Sequence, residues 1–270
     1  MHGTRVEMRV VTPTMPPDKL ASRAVADGCS RLIAAGGDGT VSAVASAVTG
    51  SQATLAILPC GTLNHLAKDL KIPLEIDEAI QLALNGNVTT IDVGEVNGRV
   101  FVNNSSIGLY PLMVAERDRD RRRGVNRWWA MAKAVASLMK KYPVMHVKLE
   151  ADVEEKAIAS PLVFVGNNRY EMSGMEMGTR ERLDGGRLFV YAPAESGRLQ
   201  FLKIMAGSLI GAPSPELVEF ATEQVKLVTR KSRLRVAIDG EVTHLDSPLD
   251  YRIRRKALRV VVPGGIQKAE

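Results

Sequence analysis

The sequence predicts an α/β fold: an N-terminal, parallel-sheet half of nucleotide-binding type followed by a largely antiparallel β half. Up to Thr89, short apolar runs alternate with helical stretches, the order that builds a parallel sheet covered by helices. Beyond Thr89 the apolar runs follow one another quickly, separated only by turn residues, which is the texture of antiparallel sheets. Two early strands also run into glycine-rich turns that open helices, as nucleotide folds do.

Arg5 to Val11 reads as a strand, Lys19 to Ala26 as a helix, Arg31 to Ala35 as a strand, Thr40 to Val48 as a helix and Leu55 to Leu58 as a strand. Helices follow over Asn64 to Leu70 and Ile76 to Leu84, the second stopped by Asn85-Gly86. Ile91 to Val96 and Val100 to Asn103 flank Asn97-Gly98, a strong hairpin signal because both central residues of such a turn need positive φ. Further strands are expected over Val144 to Leu149, Leu162 to Val165, Leu188 to Tyr191, Val225 to Val228, Leu234 to Ile238 and Leu258 to Val262. Two helices interrupt them. Trp128, Met131, Val135, Leu138 and Tyr142 recur at helical spacing, and Arg198 to Ile210 is apolar on more than one side. The boundary falls near residue 92: residues 1–92 form the α/β half, 93–255 the β-rich half, and 256–270 are available to complete the first.

With 270 residues the chain can bury a sizeable core. Apolar residues at 45% and charged residues at 24% are ordinary for a soluble protein, and aromatics at 4% leave the core to Val, Leu, Ile, Ala and Met. A formal charge of +6 favours an acidic partner: a nucleotide, a nucleic acid or an anionic membrane surface. Cys29 and Cys60 lack metal-site spacing and read as small core residues in a reduced, cytoplasmic setting. His2, His65, His146 and His244 are scattered singly, which argues against zinc or histidine-nucleophile chemistry. No apolar run reaches the roughly 18 residues needed to span a bilayer.

Gly36-Gly37-Asp38-Gly39-Thr40 ends one strand and opens a helix, placing backbone N–H groups where no side chain blocks a close approach. That is an anion site, although a plain strand-to-helix turn would use the same residue types. Asp38 needs its own reason. At about 4 Å and an effective dielectric near 20, it would repel a phosphate charge by roughly 4 kcal/mol, so a cation such as magnesium or a proton donor is expected between them. Leu58-Pro59-Cys60-Gly61-Thr62-Leu63-Asn64 repeats the arrangement after the next strand, with Thr62 and Asn64 able either to cap the helix or to reach a nucleotide. Loops at the carboxyl ends of neighbouring parallel strands converge on one crevice.

GGDGT, LPCGTLNHLAKDL, FVNNSSIG, VFVGNNRY, RLDGGRLFVY and VAIDGEV occur in this order over nearly the whole chain. In this combination the sequence resembles the bacterial diacylglycerol kinase family, soluble lipid kinases related to sphingosine kinases. GGDGT alone is shared with the distant NAD kinases. The resemblance implies an ATP-dependent kinase with a nucleotide domain, a β-sandwich domain and an active site between them. It implies that Gly36, Gly37, Asp38, Gly39 and Thr40 hold the ATP phosphates and that Gly61, Thr62 and Asn64 complete the nucleotide site. Thr12 matches a family threonine that touches ATP; otherwise it is an ordinary strand end. The resemblance makes Glu241 the general base toward the lipid hydroxyl, where Asp239-Gly240-Glu241 alone would read as a hairpin turn with exposed acids. Asp38 would organise the metal and phosphates.

Two features depart from the family pattern. In Leu183-Asp184-Gly185-Gly186-Arg187-Leu188 a glycine stands where the magnesium-linked motif has aspartate, so either Asp184 serves as the metal ligand or the site is lost. The family's opening Asn-Pro-x-x-Gly strand and following helix have no counterpart upstream of Val6 to Val11.

The stretch Glu116 to Arg123, with Gly124, Arg127 and Trp128-Trp129, suits a surface that meets anionic headgroups, or else a solvated linker. Met172, Met175 and Met177 could adapt to acyl chains or pack in a core. The expected partners are therefore ATP with Mg2+, a diacylglycerol-like lipid and, peripherally, the membrane from the cytoplasmic side. A homodimer stays open. Nucleic acid is not expected, because the basic residues lack interleaved aromatic platforms. The competing readings are an NAD kinase and a catalytically impaired nucleotide- or lipid-binding remnant.

Overall fold

The computed structural model describes residues 6–109, 145–151, 155–173, 176–193 and 217–264. Helix α1 (Pro17–Ala26), strand β1 (Arg31–Gly36), helix α2 (Asp38–Val48), strand β2 (Thr54–Pro59) and helices α3 (His65–Asp69) and α4 (Ile76–Asn85) come first. β1 and β2 run parallel, from Arg31 opposite Thr54 to Gly36 opposite Pro59. β2 is buried along nearly its whole length, so its sequence is a continuous apolar run rather than an alternating one. α2 packs through Val41, Val44, Ala45 and Val48, the stripe that a 3.6-residue period places on one face.

The first expected strand is a correction. Val6, Met8, Val10 and Val11 are all exposed, and the only bridge near them joins Thr12 to Met15. The alternation Val-Glu-Met-Arg-Val is strand-like, but a strand also needs a neighbour for its backbone groups and a surface for its apolar face. Cys29 and Cys60 are a second correction: both are exposed free thiols in loops, not core residues.

The hairpin of β3 (Asn87–Val96) and β4 (Arg99–Phe101) turns at Asn97 and Gly98, with φ of 45° and 80°. There follow β5 (Asn104–Gly108), β6 (Met145–Ala151), β7 (Glu155–Ser160), β8 (Leu162–Asn167), β9 (Met172–Ser173), β10 (Glu176–Met177), β11 (Leu188–Pro193), β12 (Leu217–Thr222), β13 (Gln224–Thr229), β14 (Arg233–Ile238), β15 (Glu241–Asp246) and β16 (Leu249–Val262). Among the described residues, one sheet has the order β1-β2-β16-β13-β6-β7, with β3 paired to β16 and β4 to β3; an antiparallel sheet has the order β12-β11-β8-β5-β14-β15. Side chains from both sheets, among them Val96, Phe101, Leu149, Val165, Val190, Leu227 and Tyr251, make the sandwich core.

β16 joins the halves. Its first part pairs with β13, while Arg259 and Val260 pair in parallel with β2. Accordingly Leu249 and Tyr251 lie in the sandwich core, and Leu258, Val260 and Val262 lie in the core beneath α2. Strands β5, β7, β9, β10, β12 and β15 were not foreseen; β7, β12 and β15 are sheet edges, whereas β5 lies inside its sheet between β8 and β14. An edge strand keeps water on one side and carries a weaker apolar pattern.

The expected helices over Trp128 to Tyr142 and Arg198 to Ile210, the stretch Glu116 to Arg123, Gly124, Arg127 and Met175 all lie outside the described residues. Met172 and Met177 fall in the short strands β9 and β10.

Candidate active site

The register of β1 and β2 brings both glycine loops out at the same edge of the sheet. The Cys60 N–H donates to the Gly36 carbonyl at 3.1 Å. A Cβ on Gly37 would lie 3.2 Å from the Gly61 Cα, and one on Gly61 would overlap Gly37 and lie 2.8 Å from Asn64 Oδ1. Gly36 is covered by Thr40, whose Cβ would be 2.7 Å from an added methyl. These glycines are therefore required for the loops to touch each other, apart from any ligand. Asn64, in the left-handed region at φ 52°, accepts from the Gly61 N–H at 2.9 Å and donates to the Gly61 carbonyl at 2.8 Å. Thr62 is exposed at the mouth of this loop.

Asp38 has a partner that the sequence did not indicate. Its Oδ2 accepts the Asn64 N–H at 3.0 Å and its Oδ1 the His65 N–H at 2.7 Å. The acid thus braces the start of α3 against the start of α2 through two backbone N–H groups. α2 itself begins at Asp38, and the first N–H groups of a helix lack intrahelical acceptors.

Glu241 belongs to the same place. Ile238 and Glu241 pair across a two-residue turn, Asp239 at φ 46° and Gly240 at φ 85°, and β15 is a sheet edge. From there the exposed Glu241 carboxylate reaches Gly39: a Cβ on that glycine would lie 3.4 Å from Oε1. The turn is the hairpin its sequence suggests, but Asp239 is not an exposed acid. Its carboxylate accepts from the Ser42 hydroxyl on α2, from the Val102 N–H at 2.9 Å, from the Asn103 N–H at 2.8 Å and from the Asn104 N–H at 3.0 Å. Burial pushes its pKa above the usual carboxylate value, outweighing those hydrogen bonds, which act in the opposite direction.

The 102–104 turn is held from its other side by Arg180. This buried guanidinium donates to the Val102 carbonyl at 2.7 Å, the Asn167 carbonyl at 3.0 Å and Asn103 Oδ1 at 2.9 Å. It also pairs with Asp69 of α3 at 2.6 Å. Ser42, Asp239, Arg180 and Asp69 are the residues that sequence reasoning missed. Asp239 had a visible signal in its Asp-Gly turn and Asp69 lay within the LPCGTLNHLAKDL motif, but nothing in the sequence paired Asp69 with Arg180.

Thr12 and Asp184 are not drawn into this group by any bond of their own. Thr12 sits in an exposed turn, its hydroxyl 3.1 Å from both the Met15 nitrogen and Thr14 Oγ1. Asp184 is half-exposed and accepts from Arg182 at 3.1 Å. Its loop is held instead by buried Asp92, which accepts from the Gly186 N–H at 2.7 Å and the Lys256 N–H at 2.8 Å. Asn168 Oδ1 is an orphaned buried acceptor facing Gly185. Among the described residues no three His, Cys, Asp or Glu side chains converge as a metal would need. The residues present therefore do not fit a metal held by protein groups alone. Magnesium commonly keeps only one or two carboxylates and takes its other oxygens from phosphate and water.

An α/β half with paired glycine loops, closed by an acid from an antiparallel sandwich, defines a phosphate-handling enzyme class. Residues 1–96 match the diacylglycerol kinase catalytic domain, and residues 113–262 match the YegS C-terminal NAD kinase beta sandwich-like domain. The chain belongs to this family of bacterial lipid kinases. It is 28% identical to a Pseudomonas aeruginosa protein named "Probable lipid kinase YegS-like", over 97% of this chain and 86% of the relative. A Yersinia enterocolitica protein of the same name is 32% identical over 46% of this chain and 43% of its own. A Bacillus anthracis diacylglycerol kinase crystal structure matches with a TM-score of 0.68 at 20% identity, covering 96% of this chain and 85% of that one, a likeness of fold.

Proposed function

We propose that this chain is an ATP-dependent lipid kinase that transfers the γ-phosphate to a hydroxyl of diacylglycerol or a related lipid. The single observation that carries the reading is the Glu241 carboxylate lying against Gly39 of the phosphate-type loop. In this reading residues 1–92 with 256–270 bind the nucleotide and 93–255 present the lipid. Backbone donors of Gly36, Gly37, Gly39 and Thr40 hold phosphate oxygens, with Gly61, Thr62 and Asn64 closing the other side and Thr12 touching the nucleotide. Glu241 orients the lipid hydroxyl and takes its proton as the oxygen bonds to the γ-phosphorus and the bond to the β-phosphate oxygen breaks, releasing ADP. Magnesium arriving with the nucleotide would neutralise phosphate charge; Asp38 is the nearest loop carboxylate, and Asp184 is the further candidate ligand once freed from Arg182.

The relatives' names support the lipid as acceptor. Among the described residues no helix is long and apolar enough to cross a membrane. Labelled ATP with Mg2+ and vesicles containing diacylglycerol provide the test, with soluble NAD as the competing acceptor. Label in a phosphorylated lipid is the expected result. Label appearing only in NAD, or in neither, overturns the proposal.

A further inference from the structure

We propose that Ser42 and Asp239 are positioning residues that fix Glu241 over the glycine loop, an inference that rests on the reading of Glu241 as the base. Glu241 starts an edge strand whose only strand partner among the described residues is β14. Left to the sheet alone, the tip of that hairpin would be free to swing relative to the nucleotide half. Asp239 prevents this from two residues away. Its own N–H donates to the Asn104 carbonyl at 2.9 Å, and its carboxylate gathers the three successive N–H groups of residues 102–104. One further bond leaves the sandwich: the Ser42 hydroxyl donates to Asp239 across 197 residues of sequence.

Ser42 lies one helical turn beyond Asp38 and Gly39 on α2. The helix that begins at the phosphate-type loop is therefore strapped directly to the turn that carries the base. Proton acceptance needs the carboxylate within about 2.6–3.2 Å of the hydroxyl, and a misplacement of about 1 Å costs on the order of a hundredfold in rate. A hydrogen bond from a helix to a turn is a short lever for holding such a distance. The 102–104 turn that anchors the rest of Asp239 is gripped in turn by Arg180, so the strap has a rigid base.

The test is a double-mutant cycle of Ser42→Ala with Glu241→Gln, together with Ser42→Thr. Ser42→Ala is expected to lower kcat roughly tenfold, the scale of one charge-assisted hydrogen bond, with KM for ATP and Tm close to the parent. Ser42→Thr, which keeps the hydroxyl, is expected to restore most of the rate. With Glu241→Gln already present, Ser42→Ala is expected to remove nothing further, because Ser42 acts only through Glu241. An equal loss in both backgrounds, or a loss confined to KM, overturns the positioning role while leaving the base intact. Undiminished transfer by Glu241→Gln alone removes the base, and the inference with it.

Discussion

The Glu241 carboxylate lies against Gly39, 3.4 Å from the point a side chain there would occupy, so the sandwich supplies an acid to the loop of the α/β half. Glu241→Gln keeps the shape and removes the basicity. Phosphoryl transfer should fall by about 10²–10⁴-fold, the usual contribution of a general base, while binding of a non-hydrolysable ATP analogue stays near parent affinity. Single-turnover kinetics and equilibrium binding measured side by side check this.

Gly61→Ala should separate the two glycine loops. Its methyl would overlap Gly37 and crowd Asn64 Oδ1 at 2.8 Å, and the conflict involves backbone that cannot step aside. Nucleotide affinity is expected to drop at least about tenfold, with a modest fall in Tm of the kind overpacking produces. Isothermal titration with ATP is the measurement; unchanged affinity would mean the loops do not act together.

Arg180 and Asp69 should behave as a buried pair. Their side chains are 0% and 4% exposed, and removing either leaves the other charge buried and alone. Asp69→Ala or Arg180→Ala is expected to cost about 3–5 kcal/mol in urea unfolding. A loss below about 1 kcal/mol would place the pair in the surface category.

Asp239 gives a pH dependence with a definite sign. Its folded pKa is raised above the ordinary 3.8, chiefly by burial, so the folded state holds its proton more tightly than the unfolded chain does. The associated stability is present below the ordinary value and is lost as pH rises through the raised one. Asp239→Asn has no such titration. The stability difference between parent and variant should therefore shrink as pH rises from below 3.8 toward neutrality, as followed by denaturant midpoints.

Asp184 is half-exposed and bonded to Arg182, so Asp184→Ala should change stability by no more than about 0.5 kcal/mol. If phosphate and water supply most of the magnesium ligands, the Mg2+ concentration for half-maximal activity also stays put. A shift of tenfold or more in that concentration would make Asp184 a ligand.

The order of elements was legible in the chain because it rests on local pattern. The apolar run of β2, the stripe on α2 and the Asn97-Gly98 and Asp239-Gly240 turns depend on residues close in sequence. The edge strands β7, β12 and β15 were less visible because water covers part of them, and Val6 to Val11 misled because alternation does not by itself provide a neighbouring strand. What the tertiary structure decided is where the charges go. Asp38 turned out to brace α3, Asp239 to gather donors from α2 and the 102–104 turn, and Asp69 to meet Arg180 in the interior. Each carboxylate required partners that only chain folding brings within hydrogen-bond distance, and no local spacing carries that information.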